Sequence, residues 1–134
     1  MTQTAALETL RWTDGDLVII DQTLLPNEFK EITLETAAAV WEAIKSLRVR
    51  GAPAIGVCAA FGVLVGVREK QPSGLDATLK AVEQTADYLA TSRPTAVNLF
   101  WALDSMKRVA RDYAGSANAT EGGLLQRLGD EALV

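Results

Sequence analysis

Arg50-Gly51-Ala52-Pro53-Ala54-Ile55-Gly56 opens a stretch that stays uncharged as far as Val67. The 17 residues from Gly51 to Val67 reach only the lower edge of a membrane-spanning length. Pro53 and the glycines Gly51, Gly56, Gly62 and Gly66 weigh against a lipid-facing helix. The stretch is expected to be a helix that is apolar all round because protein surrounds it. Each glycine costs such a helix about 1 kcal/mol against alanine, but is expected to let neighbouring backbones approach closely. Pro53 suits the first helical position. The helix therefore opens just after a cation, Arg50, and two small residues. Four N–H groups at a helix start lack intrahelical partners, and the helix dipole adds positive charge there. A phosphate answers both needs, and the Arg50 fork can add a charge-assisted contact. No Gly-Lys-Ser/Thr follows, so this is not a nucleotide-binding P-loop.

Outward from this helix, the chain divides by period. Leu10-Arg11-Trp12 and Leu17-Val18-Ile19-Ile20 flank Asp14-Gly15, a hairpin turn signal. A third strand is expected at Phe29 to Thr33, beyond a loop at Pro26-Asn27. From Leu34 the spacing turns helical. Val40, Trp41, Ile44 and Leu47 share a face, with Thr33 as N-cap. Ser73 to Asp76 fits a capping box before the stripe Leu75, Leu79, Val82, Ala86, Leu89. Ser92-Arg93-Pro94 is expected to open the next helix, with Leu99, Leu103, Met106, Ala110 and Tyr113 on one stripe. A linker at Gly115 to Asn118 leads to a last helix from about Thr120. Residues 1–7 are expected to be a frayed start without a signal peptide, and the last helix lacks a C-cap before Val134. The expected fold class is α+β, predominantly helical, with a small N-terminal antiparallel sheet followed by a helical bundle in one domain, residues 1–134.

Composition excludes several function classes. With 134 residues, 49% of them hydrophobic, there is enough apolar material for a core. A net charge of −4 and a pI near 4.8, with no Lys/Arg cluster, argue against nucleic-acid or membrane partners. A single cysteine forms no internal disulfide and fits a cytoplasmic setting. Histidine is absent, which removes a histidine base and the usual zinc ligands. Cys58 lies among apolar residues without a nearby cation, so it is expected to be a core residue rather than a nucleophile. Asp21, just after a strand, is expected in a turn and could orient a neighbour. Trp12, Trp41 and Trp101 are expected to be core or interface anchors. Arg93-Pro94 repeats the logic of Arg50: a cation before a proline. Two such entrances brought together could grip one phosphate from two sides.

Three blocks carry a family resemblance: Leu17 to Pro26 (LVIIDQTLLP), Ile44-Lys45 leading into Val49 to Gly56 (VRGAPAIG), and Ser92 to Leu99 (SRPTAVNL). In this order they resemble the methylthioribose-1-phosphate isomerases, over roughly Leu10 to Val134. That family is related to the regulatory subunits of the translation-initiation guanine-nucleotide exchange factor. The resemblance implies an aldose–ketose isomerase of methionine salvage, cytoplasmic, without cofactor or metal, typically a homodimer. The partner implied is a small-molecule sugar phosphate. It implies substrate binding by Arg50, Gly51, Ala52 and Arg93, and a Rossmann-like C-terminal domain, absent from this chain, that holds the catalytic cysteine and aspartate. No catalytic residue is thus expected here, and residues 1–134 alone are expected to be inactive. A regulatory subunit of the exchange factor and a ribose-1,5-bisphosphate isomerase are the alternatives.

Overall fold

A computed structural model describes residues 10–13, 15–49, 51–116 and 118–132. The expected α+β class holds. Three strands, β1 (Leu10–Thr13), β2 (Asp16–Ile20) and β3 (Glu31–Leu34), form an antiparallel meander in the order β1-β2-β3. Among the described residues, five helices follow: α1 (Ala37–Lys45), α2 (Ala52–Lys70), α3 (Leu75–Ala90), α4 (Val97–Ala114) and α5 (Glu121–Ala132).

Alternation sets the sheet register. Leu10 pairs with Ile19, Trp12 with Leu17, Leu17 with Leu34 and Ile19 with Ile32. These residues share one face, because side chains alternate along a strand. Leu10, Leu17, Ile19 and Leu34 are buried there, and Trp12 stacks on Phe61 of α2 with ring centroids 4.7 Å apart. Gly15 sits in the hairpin turn at φ +82°; Asp14 lies outside the described residues. The third strand begins two residues later than expected. Phe29 is 71% exposed, and the Lys30 carbonyl instead accepts from the Asp21 amide at 2.9 Å. The strand runs on to Leu34, which pairs with Leu17 and is buried there.

The helix α2 is the axle of the bundle. Ile55, Cys58, Ala59, Phe61, Val63, Val65 and Val67 are all buried, and α2 packs against β1, β2 and the other four helices. Its all-round burial matches its uncharged sequence. Two glycines are needed for this packing. A Cβ on Gly62 would stand 2.7 Å from Val40 Cγ1, and one on Gly66 would collide with Thr85. The neighbours that approach there are side chains, not the expected backbones.

Four helix boundaries depart from expectation. Thr36, not Thr33, caps α1, its Oγ1 accepting from the Ala39 amide at 3.0 Å; Thr33 is paired with Val18 in the sheet. Ala52 precedes Pro53 as the first residue of α2, after the N-cap Gly51. Gly74 caps α3 rather than Ser73, and no side chain caps that end. The largest shift is in α4, which starts at Val97 after the N-cap Ala96, not at Ser92-Arg93-Pro94. Ser92 finishes α3: its amide donates to the Leu89 carbonyl at 3.1 Å and its Oγ to the same oxygen at 2.7 Å. Arg93 to Ala96 then makes a turn closed by the Ala96 amide on the Arg93 carbonyl at 3.0 Å. Proline favours the second position of such a turn as much as the first position of a helix. The last helix begins as expected beside Thr120, whose Oγ1 accepts from the Gly123 amide at 3.0 Å.

Candidate functional site

The chain leaves α1 through a left-handed turn. Leu47 takes φ +63°, its amide donates to Ile44 at 3.3 Å and the Arg48 amide donates to Ala43 at 2.9 Å. This Schellman-type ending satisfies the last carbonyls and reverses the chain. Arg48 then locks the returning segment. Its Nη1 meets Asp21 Oδ2 at 2.6 Å and its Nε meets Glu42 Oε1 at 2.9 Å. Its carbonyl accepts from the Gln22 amide at 2.9 Å. The stretch LVIIDQTLLP and the stretch VRGAPAIG are thereby tied together just before α2 begins.

Asp21 anchors this arrangement. It is 2% exposed and also accepts from the Thr23 amide at 2.9 Å and Thr23 Oγ1 at 2.6 Å. Burial alone would raise its carboxyl. The hydrogen bonds from Thr23 and the Arg48 guanidinium outweigh it and hold the carboxyl below the usual range. Asp21 therefore fills both roles the sequence allows, the turn and the orientation of a neighbour. Arg48 was missed in the sequence. Its partners lie 27 and 6 positions away in the chain, and no local spacing announces them.

Gly51 follows, at φ +90° and ψ +133°, a conformation that disfavours any residue with a side chain. No side chain caps the start of α2, and a Cβ on Gly51 would meet nothing within 4 Å. The space over this helix start is open. The start of α4 lies at the same end of the bundle and is also without a side-chain cap. Gly51, Ile55, Arg93, Ala96, Val97 and Asn98 line one cleft of about 410 Å³. Two sets of free helix amides and two positive dipole ends thus converge on one space.

Arg93 adds a full charge. Its guanidinium has no carboxylate partner among the described residues, in contrast to Arg11, Arg48, Arg68 and Arg111. Of the residues singled out from sequence, the structure brings Gly51 and Arg93 into this cleft. Ala52 is the first residue of α2. Arg50 lies outside the described residues. Arg93 reaches the cleft from a turn rather than from a helix start, so the expected symmetry of two Arg-Pro entrances is lost. Asn98 was not singled out as a site residue. Its only sequence signal is its place in SRPTAVNL.

The cleft can hold an anion, but the described residues offer little to move a proton. Cys58 is fully buried and its thiol is pushed up to about 12 by burial, which makes it a core residue as expected. Asp21 is committed to Thr23 and Arg48. Among the described residues no group of three or more His, Cys, Asp or Glu side chains is placed to hold a metal ion. No helix among them is long and apolar enough to cross a membrane.

Comparison with known proteins adds the family. A 5-deoxyribose 1-phosphate isomerase of Bacillus cereus is 53% identical over 103 residues, covering 77% of this chain and 30% of that protein. A methylthioribose-1-phosphate isomerase of Methylococcus capsulatus is 50% identical over 111 residues, covering 83% of this chain and 32% of that protein. The chain thus spans about a third of the length of these relatives. Two crystal structures superpose on 93% of it. One is a 5-methylthioribose 1-phosphate isomerase from Pyrococcus horikoshii, with a TM-score of 0.85, 34% identity and 34% of its own length covered. The other is the translation initiation factor eIF-2B, subunit delta, from A. fulgidus, with a TM-score of 0.83, 33% identity and 35% covered. Residues 48–131, which include the cleft and the helices that form it, match the initiation factor 2 subunit family, and the chain belongs to that family.

Proposed function

We propose that this chain is the phosphate-holding N-terminal domain of an aldose–ketose isomerase. Its substrate would be a ribose 1-phosphate altered at C5, with 5-methylthioribose 1-phosphate going to 5-methylthioribulose 1-phosphate in methionine salvage. Arg50, Gly51, Ala52 and Arg93 hold the phosphate. The observation that carries this is the convergence of Gly51, Arg93 and two uncapped helix starts on one cleft. The relatives named above, isomerases of sugar 1-phosphates, support the substrate class.

The chemistry fits a divided site. A sugar 1-phosphate has its anomeric carbon blocked as an ester, so isomerisation needs acid–base help for ring opening and then a hydrogen shift between C1 and C2. Fixed amides and a guanidinium can pin the phosphate so that C1 and C2 meet the reacting groups. Those groups, a cysteine and an aspartate, belong to the Rossmann-like C-terminal domain of the full-length homodimer.

The test is Arg93→Ala in the full-length enzyme. A charge-assisted hydrogen bond is worth about 1.5–3 kcal/mol, so kcat/KM should fall by roughly 10- to 150-fold. Unchanged kinetics would overturn the assignment. The likeness to the initiation factor delta subunit supports a second reading, a regulatory subunit without catalysis. Full-length protein that turns over no sugar 1-phosphate but assembles stably with other initiation-factor subunits would establish it.

A further inference from the structure

Beyond Asn98 the phosphate cleft gives way to an apolar groove. Pro53, Val57 and Ala60 of α2 and Trp101, Ala102 and Met106 of α4 line a space of about 320 Å³. Asn98 lines both this groove and the cleft, and its carboxamide has no hydrogen-bond partner among the described residues. At the far end Ser105 Oγ donates to Glu131 Oε2 at 2.7 Å, so the polar groups there satisfy each other. Trp101 is 71% exposed, a large ring left over the groove where burial would normally be favoured.

The order along α4 is informative. Val97 lies at the anion cleft, Asn98 at the junction, and Trp101 and Ala102 in the apolar groove one helical turn on, about 5 Å away. A cleft suited to an anion, a half-exposed amide and an apolar trough thus succeed one another along the first turns of α4. The substrates proposed above have that sequence of groups: a phosphate on C1, hydroxyls on the ring, and an apolar end at C5.

We propose that this groove receives the apolar C5 end of the sugar phosphate, with Asn98 hydrogen-bonding a ring hydroxyl between the two ends. The groove residues then set specificity for the C5 substituent. This rests on the isomerase reading. A protein partner could also cover an exposed tryptophan, but it would leave unexplained why the groove and the anion cleft meet at one polar side chain, Asn98.

The experiment uses full-length enzyme and three substrates: 5-methylthioribose 1-phosphate, 5-deoxyribose 1-phosphate and ribose 1-phosphate. Val57→Phe fills the groove and should lower kcat/KM for the methylthio sugar relative to the 5-deoxy sugar by about tenfold, the range in which apolar pockets discriminate size. Trp101→Ala, an exposed substitution that spares folding, should lower the preference for the 5-deoxy sugar over ribose 1-phosphate by a similar factor. Equal effects of both variants on all three substrates would overturn the proposal. So would a changed oligomeric state on size exclusion with the ratios intact, since the groove would then seat protein. Unsubstituted enzyme that turns over none of the three overturns the isomerase reading itself.

Discussion

At the scale of single residues, Asp21 illustrates how burial and pairing set a stability contribution. Its carboxylate is almost fully buried and engages Thr23 and Arg48. Its folded pKa lies below the ordinary carboxylate value of about 4. The stability it contributes is therefore present above that value and is lost as pH falls through the depressed folded pKa. Arg48 is a third exposed, which weakens the pair relative to a fully buried one. Asp21→Asn should cost about 1–3 kcal/mol at neutral pH, read as a lower urea midpoint at unchanged slope. It should also flatten the decline in stability on acidification. An unshifted acid limb would show that Asp21 carries no such linkage. Cys58 makes the opposite case. A thiol pushed up to about 12 and fully buried should resist alkylation in the native protein at pH 8. It should react at the rate of an ordinary thiol once the chain is unfolded in guanidinium. Rapid native labelling would contradict its placement.

At the scale of elements, α2 shows which glycines are required and which are not. Gly62 faces Val40 and Leu89, and a Cβ there would come within 2.7 Å of a branched side chain. Gly62→Ala gains helix propensity but forces α1 or α3 outward, so a net loss of about 1–3 kcal/mol is expected. Gly129 of α5 meets nothing within 4 Å. With no clash to offset the propensity gain, Gly129→Ala should stabilise by about 0.5–1 kcal/mol. Thermal unfolding of the two variants should therefore move in opposite directions. Equal shifts would mean that packing at Gly62 is looser than its neighbours suggest. The uncharged composition of α2 announced its burial, because a helix without a polar face has no way to meet water. The start of α4 was not legible in the same way. Pro94 satisfies both a turn and a helix start, and only the completion of α3 by Ser92 decides between them. For the same reason, the expected helix entrance at Arg93 is a turn, while the uncapped amides come from Val97 onward.

At the scale of the whole molecule, the sheet, the bundle and the central helix follow from period and composition, whereas the site depends on which ends of the bundle meet. Gly51 and Arg93 stood out in the sequence separately, each close to a proline, and both line one cleft. Their meeting required α2 and α4 to present their first turns at one end, with α3 returning between them. The tie from Asp21 through Arg48 to the start of α2 was invisible to local pattern, because it spans the sheet and the bundle. This division has a consequence for activity. Histidine is absent from the sequence; the thiol is buried and protonated; the buried Asp21 carboxylate is held ionised by hydrogen bonds from Thr23 and Arg48. A hydrogen shift between C1 and C2 needs a group that exchanges a proton near neutral pH within reach of the sugar. Purified residues 1–134, incubated with 5-methylthioribose 1-phosphate, should thus form no 5-methylthioribulose 1-phosphate above the uncatalysed background. The same chain should still be stabilised by the sugar phosphate, because the cleft and its two helix starts lie within it. One ligand concentration equal to the dissociation constant adds about 0.4 kcal/mol, and a hundredfold excess about 2.7 kcal/mol. Ketose formation by the isolated chain would show that a proton-transferring group lies within these 134 residues and would move the catalytic site to this domain. Full-length enzyme that binds the sugar phosphate when the isolated chain does not would instead mean that the cleft is completed by residues from outside it.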